Sequence, residues 1–469
     1  MPRRHTTLPA LGTAVLALWA TAAAAQTDSA AASQTAPPAA TGFWERSSLL
    51  GDPAGLRDAL GKDGISFGLQ ETSEVFGNVS GGIHRGVDYN GLTEMSLGID
   101  TQKAFGWAGG TFNVSALQIH GRSLSADNLD TLQTASGIEA EPATRLWELW
   151  YQQAFLAGRV DVKLGQQSID QEFMTSQGSA LFINTVMGWP MIPSADLYAG
   201  GPAYPLSSLG VRLRARPTAA LTVLAGVFDD NPPGGPFADD SQLRGAEAAG
   251  HAFNLNTGAL WIAELQYAIN QPASDGTPSG LAGTYKLGFW YDSGSFPDQR
   301  FDTLGRSLDD PQSSGVPRLD RGNASIYAVA DQTVWVPDPR GPRALAVFAR
   351  AMGAPPDRNL ISFSVDAGLT LKAPFRGRDN DTAGIGFGLA KVSADAAAEE
   401  RESGVPGPVR GTETFIELTY QLQLTPWWLL QPDFQYVFNP GGGVVDPQTP
   451  PQRVGNEAVF GLRTAITLW

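Results

Sequence analysis

The run from Ile361 to Lys372 constrains this chain more than any other stretch. Ile361, Phe363, Val365, Ala367, Leu369 and Leu371 alternate with Ser362, Ser364, Asp366, Gly368, Thr370 and Lys372 without one error of phase. A period of two sends the two sets to opposite faces of an extended strand. The run is also close to the roughly nine to eleven residues with which a tilted strand crosses a bilayer.

The same alternation recurs along the chain. It predicts sixteen strands, starting near 65, 88, 110, 145, 159, 207, 219, 257, 281, 323, 343, 361, 383, 411, 427 and 456. Links at 103–109, 157–158, 216–218, 271–280, 337–342, 374–382 and 425–426 are short, whereas 122–144, 170–206, 230–256, 294–322, 395–410 and 440–455 are long. Short turns at one end and long loops at the other are the rhythm of a barrel. The fold class expected is therefore all-β, a transmembrane antiparallel β-barrel of sixteen strands with a short N-terminal helix. An open sheet would strand backbone groups in hydrocarbon, so the cylinder must close.

The chain's start belongs to export. Arg3 and Arg4, the apolar Leu8 to Trp19 and Ala23-Ala24-Ala25 before Gln26 fit a signal peptide over 1–25. Residues 26–43, rich in Ala, Ser, Thr and Pro, read as a tether, 44–63 as a helical segment with Asp52 as N-cap, and 64–469 as the barrel. The formal charge is −15, and losing Arg3 and Arg4 leaves −17, which argues against nucleic-acid binding. Cysteine is absent, and His5, His84, His120 and His251 show no paired metal-ligand spacing. No cofactor is expected. Asp229-Asp230 and Asp239-Asp240 lack calcium-loop spacing and read as solvated loop charges. Gly64-Ile65-Ser66-Phe67-Gly68 matches a hydrolase nucleophile pattern, but that pattern needs a strand-to-helix elbow, and Ser66 begins an alternating strand.

Between Arg145 and Arg216 the two faces differ most. Trp147, Leu149 and Tyr151 alternate with Glu148, Trp150 and Gln152, and Val160, Val162 and Leu164 alternate with Arg159, Asp161 and Lys163. Leu209, Val211 and Leu213 then oppose Arg212, Arg214 and Arg216. A charge on the lipid side costs roughly 2–4 kcal/mol at mid-bilayer, so the charged phase is the inward one. Trp290 and Trp427 are read as inward too, and Gly384, Gly386 and Gly388 as leaving room in the lumen.

Several segments resemble the carbohydrate-selective porins of the OprB family: LWELWY at 146–151, KLGQQSIDQEF, LFINTVMGWP, PSADLYAGGPAYPLSSLGVRLR and the final FGLRTAI. The resemblance spans residues 44–469. It implies a sixteen-stranded barrel in the Gram-negative outer membrane that passes small sugars such as glucose by diffusion, with loops folded inward. Such barrels often end in Phe, whereas this chain ends in Trp469, out of phase with Phe460, Leu462, Ile466 and Leu468.

A sugar offers hydroxyls that both donate and accept, so a filter needs converging cations, carboxylates and an aromatic face, bound weakly enough to let go. The pore-lining residues expected are Glu148, Trp150, Arg159, Lys163, Arg212, Arg214, Arg216 and Glu264, with Asp170 and Glu172 from an inward-folding loop at 170–206. Pairing of these charges merely to keep the wall wet is the competing view. Partners are sugars in transit, outer-membrane lipid and the barrel assembly machinery, with monomer and homotrimer both open. The other functions weighed are a general porin, a hydrolase built on a barrel wall and a soluble exported sugar binder.

Overall fold

The computed structural model describes residues 42–237, 242, 249–251, 253–271 and 280–469. The proposed leader, nearly all of the tether and the Asp239-Asp240 pair lie outside the described residues. Sixteen strands follow one another: β1 Ile65–Ser80, β2 Val87–Asp100, β3 Gly110–Gly121, β4 Ala143–Phe155, β5 Val160–Gln167, β6 Ser208–Ala215, β7 Leu221–Asp229, β8 Ala259–Ile269, β9 Gly283–Asp302, β10 Pro317–Trp335, β11 Ala344–Gly353, β12 Ile361–Lys372, β13 Thr382–Val392, β14 Thr412–Thr425, β15 Trp428–Phe438 and β16 Glu457–Thr467. Each pairs antiparallel with its neighbours in sequence, and β1 pairs with β16 to close the barrel.

Alternation places the faces as expected on most strands. On β12, Ser364 and Asp366 are buried while Phe363 and Leu369 are exposed. The wall departs from the pattern at several points; at the start of β12 a register shift turns Ile361 inward, away from the face of Phe363. Trp147 was expected outward, but Glu148 pairs with Ser115 and Leu146 with Ala116, so Trp147 is the extra residue of a β-bulge. The bulge turns its indole inward, where Nε1 donates to the Leu206 carbonyl at 3.3 Å. The long link expected at 294–322 is mostly strand, because β9 and β10 stay paired from Gly283–Gln332 out to Asp302–Pro317. Pro297, Gly315 and Gly322 hid that extension by breaking the alternation.

Trp469 is accommodated at the seam. The N–H groups of Leu468 (2.8 Å) and Trp469 (3.2 Å) both donate to the Leu69 carbonyl, so two residues oppose one. The irregularity breaks the phase, and the Trp469 ring meets outward Phe67 edge-on at 6.2 Å. Beside it lies the helix α1, Leu56–Lys62, none of whose residues is buried. Asp52 Oδ1 still receives a backbone N–H near its start, that of Arg57 at 2.8 Å. Trp427, expected to face the lumen, instead packs on Phe43 and Trp44 of this N-terminal segment and donates to the Phe43 carbonyl at 3.2 Å. It sits in the β14–β15 turn, beyond the ladder that would have aimed it inward.

The core of the molecule is inside the cylinder. The segment between β5 and β6 carries short helical turns, including Thr185–Met187 and α2 at Met191–Asp196. Its Phe173, Phe182, Met187, Trp189 and Ile192 cluster with the wall's Phe228, Trp290, Tyr327, Phe348 and Phe415. Each such side chain contributes about 1.5–3 kcal/mol when buried. Gly384, Gly386 and Gly388 do leave room, and the room is filled. A Cβ at Gly384 would lie 2.6 Å from Leu181, and one at Gly386 would lie 2.8 Å from both Met187 and Phe182.

Candidate functional site

The inward loop, residues 168–207, is held by side chains from most of the way round the wall. Glu264 accepts the Met174 N–H at 2.7 Å and the Tyr327 hydroxyl at 2.9 Å. Asp331 accepts from Ser176 Oγ at 2.7 Å and the Gly178 N–H at 2.9 Å, and Glu417 from the Ile183 N–H at 2.6 Å. Gln431 donates to the Leu181 carbonyl at 2.7 Å. Arg350 reaches furthest. It is 0% exposed and donates to the carbonyls of Met174 (2.7 Å), Val186 (2.5 Å), Met187 (3.1 Å) and Gly188 (3.0 Å), while its Nε lies 3.1 Å from Asp366. A loop brought into a lumen exposes backbone donors and acceptors that water can no longer satisfy. Carboxyl, amide and guanidinium groups of the wall supply the replacements.

A second loop, 122–142, shares the interior. Glu413 accepts the N–H groups of Leu132 and Gln133, both at 2.8 Å, and Ser136 Oγ donates to Glu74 at 2.5 Å. Glu139 accepts from Ser125 through both N–H and Oγ at 3.1 Å and from Ser123. Burial pushes its carboxyl up to about 7 despite those hydrogen bonds.

Where the first loop begins, the charge ladder forms. Arg212 grips Glu172 side-on, with Nε 2.7 Å from Oε2 and a terminal nitrogen 3.1 Å from Oε1. It also pairs with Asp161 and donates to Gln152 at 2.8 Å. Arg214 Nε lies 2.7 Å from the other Asp161 oxygen. Lys163 pairs with Glu172 and sits 4.9 Å above the Trp150 ring. Burial alone would raise the Glu172 pKa, but Lys163 and Arg212 outweigh it and hold the carboxyl down at about 2.

Trp150, Lys163, Glu172, Arg212 and Arg214 therefore come together as one constellation. Their exposure divides them. Arg212 is 1% exposed and saturated with partners, whereas the Arg214 side chain keeps 26% and Glu172 19%. The remaining expected residues sit elsewhere. Glu148 receives the Ser168 N–H at 3.1 Å and anchors the loop's start. Asp170, whose pKa burial raises, binds Ser168 Oγ at 2.6 Å and the Tyr204 N–H at 3.1 Å. Glu264 is a loop clamp. Arg159 and Arg216 are exposed in the short turns flanking β5 and β6, at the rim rather than on the lumen wall. Among the described residues no group of three or more His, Asp or Glu is placed to hold a metal ion.

Two partners were missed. Asp161 stands opposite Arg214 in the β5–β6 register, and Arg350 opposite Asp366 in the β11–β12 register. Opposite charges in register on the inward phase were the available signal.

Known proteins agree with this architecture. The profile described as "Carbohydrate-selective porin, OprB family" matches residues 84–468. Porin B of Pseudomonas aeruginosa is 26% identical over 421 residues, covering 84% of this chain and 87% of that protein. The putative porin QuiX of Acinetobacter baylyi is 23% identical over 428 residues, covering 86% and 91%. Among solved structures, Pseudomonas putida OprB at high pH superposes with a TM-score of 0.79 at 24% identity, over 91% of this chain and 100% of that one. The chain belongs to the OprB family of carbohydrate-selective porins, and it is a sugar-selective outer-membrane channel rather than an enzyme.

Proposed function

We propose that small neutral sugars such as glucose diffuse through this barrel and are selected beside the β5–β6 wall, where Arg214, Glu172, Lys163 and Trp150 meet. One observation carries the reading. A loop fills much of the lumen, and its Glu172 is clamped between Lys163 and Arg212 next to an aromatic ring. Arg214 and Glu172 keep part of their surface open to water and offer donors and acceptors to sugar hydroxyls. Trp150, with Lys163 above its ring, is the aromatic member of the group. Arg212 positions Glu172 and Asp161 and does not itself meet the solute.

Planar-bilayer conductance tests this. Added glucose should reduce the ionic current in proportion to occupancy, and an amino acid of similar size should not. Equal block by both solutes would make the protein a general porin and remove the filter. Export by a leader over 1–25 and insertion by the barrel assembly machinery belong to the same proposal. N-terminal sequencing of the mature protein beginning at Gln26 would support the leader, and an intact Met1 would refute it.

A further inference from the structure

Two cations on the outward side of the wall stand without partners. Arg321 on β10 and Lys391 on β13 are exposed, and neither makes a hydrogen bond or ion pair among the described residues. Other arginines close by are matched. Arg318 pairs with Asp298 at 2.5 Å and with Asp320 at 3.1 Å, and Arg358 grips Asp357 side-on at 2.9 and 2.8 Å. Both free cations lie near the long-loop ends of their strands, and in outer-membrane barrels those ends face the cell exterior.

Between them runs a groove. The register sets Phe289, Ile326, Gly353, Phe363 and Lys391 in one row across β9 to β13, with Tyr291 opposite Ala324 beside it. Phe289, Tyr291 and Ile326 project from the wall, while Ala324 and Gly353 do not, and the hollow left between has a volume of about 680 Å³. A Cβ added at Gly353 would meet nothing nearer than the Ser362 carbonyl at 4.0 Å, whereas one at Gly384 or Gly386 runs into the inward loop.

Depth says what fills the hollow. Tyr291 is eight residues above the start of β9, which is about 26 Å of strand or roughly 20 Å of height at the usual tilt. In an apolar band about 25 Å tall, the groove therefore opens on the acyl chains of the outer leaflet. Arg321 stands three residues beyond Ala324, about 10 Å further along β10, at the level of the headgroups. The chain as a whole is acidic, at −15, so it does not draw anions generally. Two unmatched cations at the top of an apolar hollow do so locally.

We propose that this groove holds acyl chains of a phosphate-bearing lipid of the outer leaflet, whose phosphates bind Arg321 and Lys391. A guanidinium meets phosphate oxygens with two parallel N–H donors, and an ammonium meets them as a point charge. The proposal rests on the wall's place in the membrane and not on sugar selectivity. A channel that blocked equally with sugar and amino acid would leave it standing.

The purified, delipidated channel is titrated with bisphosphorylated lipid A or with phosphatidylethanolamine, and bound lipid is counted by native mass spectrometry. Lipid A should bind in preference, and raised salt should weaken that preference. Arg321→Ser with Lys391→Ser should weaken lipid A binding roughly thirtyfold, the worth of two interfacial cations, and leave phosphatidylethanolamine unchanged. Gly353→Leu places its side chain in open space and should weaken both lipids by filling the hollow. Should a variant fail to fold, the wild-type preference and its salt dependence still decide. Equal wild-type affinity for the two lipids, or a lipid A affinity that neither variant changes, overturns the proposal.

Discussion

Replacing Arg350 with Ala should loosen the inward loop and widen the channel. Arg350 donates to four carbonyls between Met174 and Gly188 and pairs with Asp366. Its removal leaves those carbonyls without a donor and Asp366 without its cation. Breaking a buried ion pair from one side costs about 3–5 kcal/mol. At 1.4 kcal/mol per factor of ten, the pinned arrangement loses roughly two to three and a half orders of magnitude against looser ones. The loop does not leave altogether, because Glu264, Asp331 and Glu417 still hold Met174, Gly178 and Ile183.

Single-channel recording reads the effect directly. The Arg350→Ala channel should show larger conductance, more open-channel noise and weaker block by added sugar. Liposome swelling should reveal passage of longer oligosaccharides. Arg350→Ala with Asp366→Ala removes the stranded carboxylate and should recover part of the lost barrel stability, though not the loop contacts. Conductance, noise and sugar block equal to wild type in the single variant would refute the view that this arginine pins the loop.

Arg214→Ala should weaken sugar block several-fold at unchanged conductance, since Arg214 is the accessible rung. Arg212→Ala with Arg214→Ala should weaken it further and add noise as Glu172 loses its clamp; unchanged block in the double variant would make the ladder purely structural. Gly386→Val would push into Met187 and Phe182, so the loop should become cleavable by added protease, and wild-type resistance would contradict the packing. The two loop carboxyls predict opposite pH behaviour. With Glu172 held down at about 2, its stabilising contribution is present above the ordinary carboxylate value and is lost only as pH falls through about 2. Sugar block should therefore be flat from neutrality to about pH 4. Glu139 is raised to about 7, so its contribution is present below the ordinary value and lost as pH rises through about 7. Amide protection at Ser125 should fall across that range and become level in Glu139→Gln.

The wall was legible because its physics is one-dimensional. A strand between water and lipid must alternate, so starts such as 65, 110 and 361 coincide with those of β1, β3 and β12. Trp147 defeated the reading because a bulge is a fact about two strands, and only the pairing with Ser115 and Ala116 reveals it. The lumen was harder. Phe173, Phe182 and Trp189 carry no period, and their partners Phe348 and Phe415 lie more than 150 residues away. The arginine ladder was visible, but the acid that the β5–β6 register sets opposite Arg214 is Asp161, not Glu148.

The use made of charge in the lumen bears on what the channel admits. Arg212, Arg350 and Lys163 are each matched by carboxylates or carbonyls, and Glu264, Glu413 and Glu417 by backbone N–H groups. A wall of unpaired cations or anions would favour ions of the opposite sign and raise their local concentration. Within the ladder Lys163, Arg212 and Arg214 offset Asp161 and Glu172 at short range, and partly open members such as Arg214 and Glu172 still offer donors and acceptors. A neutral solute rich in hydroxyls profits from that short-range pattern, whereas a bare ion profits from net field. The same pairing holds the loop in place, so loop anchoring and preference for uncharged solutes depend on one set of contacts. A substitution such as Arg212→Ala, which removes one positive charge from the wall, should shift the channel toward cations while it weakens sugar block, and reversal potentials in a salt gradient would show both changes arising together. A loss of sugar block with no change in ion preference would separate the two roles and break this account.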